Sequence, residues 1–217
     1  MFAAEAGRPT HVWSRTANRV VLSRVNWTAD EALLAETDRP GTRFTYDRGL
    51  LEITTPSCQH QRIKSLIGSM IEIMTVELNI PISRGGATTL KNELSQRGVE
   101  PDECYYVANE AKVRGRDNYD PSSEPPDLAI EVDITSSSVD QIGIYAVFGV
   151  PEVWLYDTIR IRVYVLQPDG IYSQQPRSNS FPFLPLDEVE RFLQRRDTTD
   201  ETTLIREFRD WVRNLGR

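Results

Sequence analysis

The side chains of this sequence that are placed to do chemistry are carboxylates on strands. It contains no P-loop, no Gly-x-Gly-x-x-Gly turn and no Gly-x-Ser-x-Gly nucleophile elbow. His11 lies in a polar, aperiodic N-terminal stretch. His60 falls at the first turn of an amphipathic helix, where a polar surface residue is the default reading. Cys58 and Cys104 lie far apart and form no Cys-x-x-Cys pair, so neither a disulfide framework nor a zinc ribbon is indicated. What remains is Pro101-Asp102, opening one apolar strand, and Pro126-Asp127, opening another that runs Leu128-Ala129-Ile130-Glu131-Val132-Asp133. Alternation puts Asp127, Ala129, Glu131 and Asp133 on one face, and Leu128, Ile130 and Val132 on the other. An acid projected from a buried strand must be paired, protonated or bound to a metal. If the two strands are neighbours, Asp102 and Glu131 converge on one hard cation such as Mg2+ or Mn2+. The structural alternative is an ion pair with Arg62, Arg84 or Lys91, or a solvated strand end. Glu52 is a third candidate acid and, taken alone, reads as an exposed strand glutamate.

The elements that must position these acids can be read from periodicity and turn chemistry. Val20–Leu22 reads as a short strand. Thr28-Ala29-Asp30-Glu31 reads as a capping box opening a helix through Leu34. Thr42–Tyr46 and Leu50–Ile53 flank Asp47-Arg48-Gly49, a hairpin signal. Ile63, Leu66, Ile67, Met70, Ile71, Met74 and Leu78 form one helical stripe that ends before Pro81. Strands are expected at Ala87–Leu90, Glu103–Val107, Leu128–Ile134 and Val153–Tyr156. A helix over Ser138–Phe148 joins the last two as a right-handed crossover between parallel neighbours. A second hairpin, Arg160–Leu166 with Ile171–Ser173, turns at Pro168-Asp169-Gly170. Leu186–Gln194 reads as a helix. Thr198-Thr199-Asp200-Glu201 caps a last one, whose stripe of Leu204, Ile205, Phe208, Trp211, Val212 and Leu215 needs either this core or a second copy to cover it. The order is α/β.

The 217 residues suit one domain over 19–217 behind a flexible arm at 1–18. With 39% hydrophobic residues the chain can build a sizeable core, yet no apolar run approaches the roughly 18 residues needed to span a bilayer. Met1–Arg8 has no signal-peptide stretch, so a soluble, cytoplasmic protein is expected. A net charge of -7 argues against a bulk-electrostatic nucleic-acid binder, since such a protein needs a positive field to displace counterions. It leaves room for an enzyme that gathers carboxylates around a metal. Arg84, Lys91, Arg97, Lys112, Arg114 and Arg116 make one segment locally basic, but interspersed acids make a mixed solvated surface of it.

Several motifs in order carry a family resemblance. Tyr46-Asp47-Arg48-Gly49-Leu50-Leu51-Glu52-Ile53, then Thr55-Pro56-Ser57, His60 and a long helix, resemble the opening of the Uma-type restriction endonuclease family of bacteria. Gly98–Val107 and Pro125–Asp133 resemble its two core strands, Gly149–Asp157 its last motif and Phe181–Pro185 its tail. The resemblance implies a restriction-endonuclease-like, PD-(D/E)XK core: a central mixed β-sheet flanked by helices, with an N-terminal hairpin and C-terminal helices. By position it implies Asp102 as the PD aspartate, Glu131 as the second acid and Glu52 as an additional ligand, all toward Mg2+ or Mn2+. The activity implied is metal-dependent hydrolysis of DNA phosphodiester bonds.

One position departs from the pattern. The nuclease motif wants a lysine two residues after the second acid, and this chain has Asp133. Lys91, from the strand before Asp102, and Gln141, early in the following helix, are the candidate catalytic helpers. Asp133 reads as a further metal ligand or as a strand-end cap for Ser136 and Ser137. Without the lysine, a nuclease-fold module that binds nucleic acid or protein without cutting is the alternative function. DNA is the expected partner, and a homodimer the expected assembly.

Overall fold

The computed structural model describes residues 18–36, 41–133 and 139–215, so the expected N-terminal arm and the Ser136–Ser137 cap lie outside the described residues. The chain opens with β1 (Asn18–Ser23) and α1 (Trp27–Glu36), followed by the hairpin β2 (Arg43–Asp47) and β3 (Leu50–Thr55). Asp47 pairs with Leu50, leaving Arg48 and Gly49 as the loop, at φ of 47° and 94°. Two consecutive left-handed residues give a loop whose twist matches that of the strands. The register that follows sets Thr45 opposite Glu52 and Arg43 opposite Thr54. Helix α1 begins earlier than the expected Thr28 cap. Asn26 caps it instead, its Oδ1 accepting from the Ala29 N–H at 2.8 Å, a role asparagine fills as well as threonine does.

Helix α2 (Cys58–Glu77) is capped by Ser57, whose Oγ accepts from the His60 N–H at 3.2 Å. Then come β4 (Ser83–Arg84), β5 (Leu90–Asn92), β6 (Arg97–Val99) and β7 (Glu103–Tyr106). The strand expected at Ala87–Leu90 starts only at Leu90. β4, β6 and α3 (Glu110–Val113) were not expected, because two to four residues carry no readable period. β8 (Leu128–Val132), α4 (Gln141–Phe148) and β9 (Glu152–Tyr156) form the crossover, with Gly149 at φ 69° ending the helix. β10 (Ile161–Leu166), β11 (Tyr172–Gln175), α5 (Leu186–Gln194) and α6 (Glu201–Leu215) follow. Asp200, not Thr198, caps α6, its Oδ1 accepting from the Thr203 N–H at 2.9 Å; Thr198 follows directly on a 3-10 turn at Arg195–Asp197.

Among the described residues the strands form two sheets. One is antiparallel, in the order β1-β3-β2-β6-β5. The other is mixed, in the order β11-β10-β9-β8-β7-β4, with β8 and β9 parallel. The early hairpin therefore grows into a sheet of its own beside the central mixed one. Leu128, Ile130 and Val132 of β8 pack with Trp154 and Tyr156 of β9 against α2, α5 and α6. On the opposite face, Ala129 and Val153 pack against Ile144, Tyr145 and Phe148 of α4, and against Leu90 and Val99 of the antiparallel sheet. The alternation expected of β8 thus holds, and a carboxylate on the Ala129 side is enclosed. The α6 stripe closes the first of these cores: Leu204, Phe208 and Val212 are buried and Trp211 packs partly against them. That removes the reason to reserve this helix for a second copy.

Candidate active site

The four side chains that matter most are buried by different elements: Glu52 (2% exposed) on β3, His60 (8%) in the first turn of α2, Asp102 (1%) just before β7 and Glu131 (6%) on β8. β7 and β8 are antiparallel neighbours, with Glu103 paired to Ile130, so Asp102 comes up beside Glu131. The hairpin register puts Arg43, Thr45, Glu52 and Thr54 on one face of the antiparallel sheet, and β1, paired to β3, adds Arg19 to that face. These residues line one cavity of about 50 Å3 together with Pro56, His60, Glu100, Asp102, Glu131, Val132, Asp133 and Gln141. That volume holds a few waters or an ion.

Asp102 is the hub. Its Oδ2 accepts from the Val132 N–H at 2.6 Å and lies 2.9 Å from His60 Nε2, while Oδ1 meets the Arg43 guanidinium as an ion pair. Glu52 faces Arg19 at 3.4 Å. Glu131 accepts a hydrogen bond from the Tyr145 hydroxyl of α4. Burial first, then the Asp102 charge, pushes the Glu131 carboxyl up to about 8, and Asp133 adds to the shift. Glu131 and burial in turn raise the Tyr145 hydroxyl. Glu100, which accepts from the Thr89 hydroxyl at 3.1 Å, is also shifted upward by burial. Five carboxylates therefore share the cavity with two guanidinium groups and one imidazole. Burial and the Asp102 charge together favour the protonated form of Glu131.

That donor set suits a hard divalent cation. Among the described residues no three His, Cys, Asp or Glu side chains already stand as a ready-made metal cluster. An Mg2+-type site does not require one, since it commonly takes one or two carboxylates and completes its shell with water and substrate phosphate.

The structure brings Glu52, Asp102, Glu131 and Gln141 to this cavity, where Gln141 Nε2 donates to Thr45 Oγ1 at 3.3 Å. It does not bring Lys91. Leu90 points inward from β5, so its neighbour Lys91 points to the outer face of the sheet, toward α1. There Nζ pairs with Asp30 Oδ2 at 2.7 Å and with Glu31, and lies 4.5 Å from the centre of the Trp27 ring. Asp127 is spent as a loop clamp, accepting from the Val107 and Asn109 N–H groups and from Asn109 Nδ2 at 2.5–2.8 Å. Sequence reasoning missed Arg19, Arg43, Glu100 and Tyr145, and read the buried His60 as a surface residue. For Arg43 a signal existed: once Arg48-Gly49 is recognised as the hairpin loop, Arg43 falls on the same face as Glu52.

Comparison with known proteins bears on the fold and the family. The Uma2 family model, described as "Putative restriction endonuclease", matches residues 29–194. No curated protein matches the chain. Among solved structures, the crystal structure of "a putative nuclease belonging to DUF820 from Anabaena variabilis" is similar at a TM-score of 0.50 and 17% identity, over 75% of this chain and 97% of that one. The fold is restriction-endonuclease-like. No helix among the described residues is long and apolar enough to cross a membrane.

Proposed function

The chain belongs to the Uma2 family, and from that premise we propose that it is a divalent-metal-dependent endonuclease that hydrolyses DNA phosphodiester bonds. One observation carries the reading: Asp102 and Glu131 lie side by side in a small cavity richer in carboxylates than in cations. Asp102 and Glu131, with Glu52 beside them, would hold Mg2+ or Mn2+, which when bound supplies Lewis acidity at the scissile phosphate and an activated water. The protein's own groups do the rest. The Val132 N–H and His60 hold the Asp102 carboxylate in one orientation. Tyr145 does the same for Glu131 from the opposite side. Gln141, on the helix that follows β8, presents an amide to the cavity and orients water there. A homodimer completes the reading, since two cavities related by a two-fold axis suit the two strands of a duplex.

The test begins with calorimetric titration of Mn2+ into the wild type and into Glu131→Ala, followed by incubation of supercoiled, linear and single-stranded DNA with Mg2+. Binding lost in the variant, and cleavage lost about 100-fold or more in Asp102→Ala and Glu131→Ala with the fold intact, are the expected results. A wild type inert on every DNA form with metal present sinks the proposal. Light scattering checks the dimer.

A second reading rests on a specific observation: no lysine lines the cavity among the described residues, and Asp133 occupies the motif position. In that case the chain is a non-cutting nuclease-fold module. Its signature is salt-sensitive DNA binding that survives Glu131→Ala, with no cleavage at any metal concentration.

A further inference from the structure

The one cationic group that the sequence suggested for catalysis, Lys91, supplies no charge at this site, and an acid, Asp133, stands at the motif's lysine position. Lys91 is bound on the outer face of its sheet. Resting on the metal-dependent reading above, we propose that Arg43 is the catalytic cation of this cavity, moving from Asp102 to the scissile phosphate when a metal ion takes its place.

The geometry singles out Arg43. Its strand, β2, lies between β3 and β6 in the antiparallel sheet, and Arg43 itself is paired to Thr54 of β3. Its side chain enters the cavity, is largely buried and meets Asp102. Its charge also acts on Glu131 and on Glu100, so it faces three of the five acids. Arg19, the other guanidinium, sits on the edge strand β1 and faces Glu52. The Arg43–Asp102 contact is also incomplete: Nη1 is buried beside the carboxylate yet makes no directed hydrogen bond. A guanidinium so placed has donors to give, and a phosphate's oxygens accept them in the paired geometry that arginine favours. In the absence of metal, Arg43 neutralises Asp102. With metal on Asp102, the same side chain is released within the same cavity, where charge develops on the phosphate.

The proposal makes metal binding and cleavage move in opposite directions. Arg43→Ala removes a cation that competes for Asp102, so the Mn2+ Kd measured by calorimetry should fall about 3- to 10-fold. Cleavage under saturating Mg2+ should fall about 100-fold or more in kcat, the usual loss for one transition-state donor. Added guanidinium ion should restore part of that activity. Arg43→Lys, which keeps a charge, should lose less than Arg43→Ala. Thermal melting checks that the variants are folded; should Arg43→Ala fail to fold, Arg43→Gln carries the same comparison without the charge. Metal affinity and cleavage falling together mark Arg43 as structural and overturn the proposal, as does unchanged cleavage. If the wild type binds metal and cuts DNA while Arg43→Ala does too, only this assignment fails. A wild type that does neither overturns both this assignment and the function it rests on.

Discussion

Lys91 and Glu131 show how burial decides what a charged residue does. Lys91 answers Asp30, whose side chain is 1% exposed and depends on it. Lys91→Met should therefore lower stability in urea unfolding by about 2–4 kcal/mol, because a buried acid is left without its cation. It should leave cleavage unchanged; equal stability would mean that the pair is not what Lys91 is for. Glu131 carries the opposite problem, an acid taken out of water by burial and set beside the charge of Asp102. Its carboxyl sits at about 8 in the fold, against an ordinary value near 4.5. Above the ordinary value the unfolded chain releases the proton while the folded chain keeps it, so the unfolded state binds fewer protons. Stability is then fully present at low pH and is lost as pH rises from about 4.5 through about 8. Melting temperatures measured with chelator over that range should decline in the wild type, and more gently in Glu131→Gln. A parallel decline in both would reject the assignment of that proton to Glu131.

At the level of elements, two strand openings with the same Pro-Asp pair have different fates. Asp102 is turned toward the antiparallel sheet and α2, where the Arg43 guanidinium and the His60 imidazole meet it beside the Val132 N–H. Asp127 meets backbone and amide donors of the 107–109 loop, which occupy its oxygens. Asp127→Ala should cost about 2–4 kcal/mol by leaving those donors unmet, while the folded fraction binds Mn2+ as the wild type does. Loss of metal binding in folded Asp127→Ala would bring that residue back into the site. The β2–β3 hairpin is the other decisive element. A slip of one residue in its register would turn Arg43 and Glu52 away from Asp102, and the Arg48-Gly49 loop prevents this by setting Asp47 against Leu50.

For the molecule as a whole, the net charge of -7 opposes approach to DNA. Under the proposed function, a divalent ion in the carboxylate cavity would offset that opposition at the point where phosphate would enter. Fluorescence anisotropy with labelled duplex should show weak binding in chelator and binding at least about 10-fold tighter with Ca2+, which fills such sites without supporting the chemistry of Mg2+. Equal binding in both conditions would separate DNA affinity from the metal site and favour the non-cutting reading.

By itself, the sequence determined the elements that long periodic runs and turn residues encode: α2, α4, α5, α6, both hairpins and the strands of the mixed sheet other than β4. It also singled out Asp102 and Glu131, since an acid in an apolar strand is conspicuous against its neighbours, while Glu52 stood out only through the family resemblance. The short strand β6 and helix α3 left no pattern, and both capping boxes yielded to a neighbouring asparagine or aspartate. Only the tertiary structure decided the cations. Lys91 and Arg43 are both basic strand residues, and although the hairpin loop puts Arg43 on the Glu52 face, nothing local says which face meets Asp102 and Glu131. That depends on which side of the antiparallel sheet packs against the mixed sheet, a matter of long-range pairing. The packing placed Arg43 and His60 against Asp102 and turned Lys91 away.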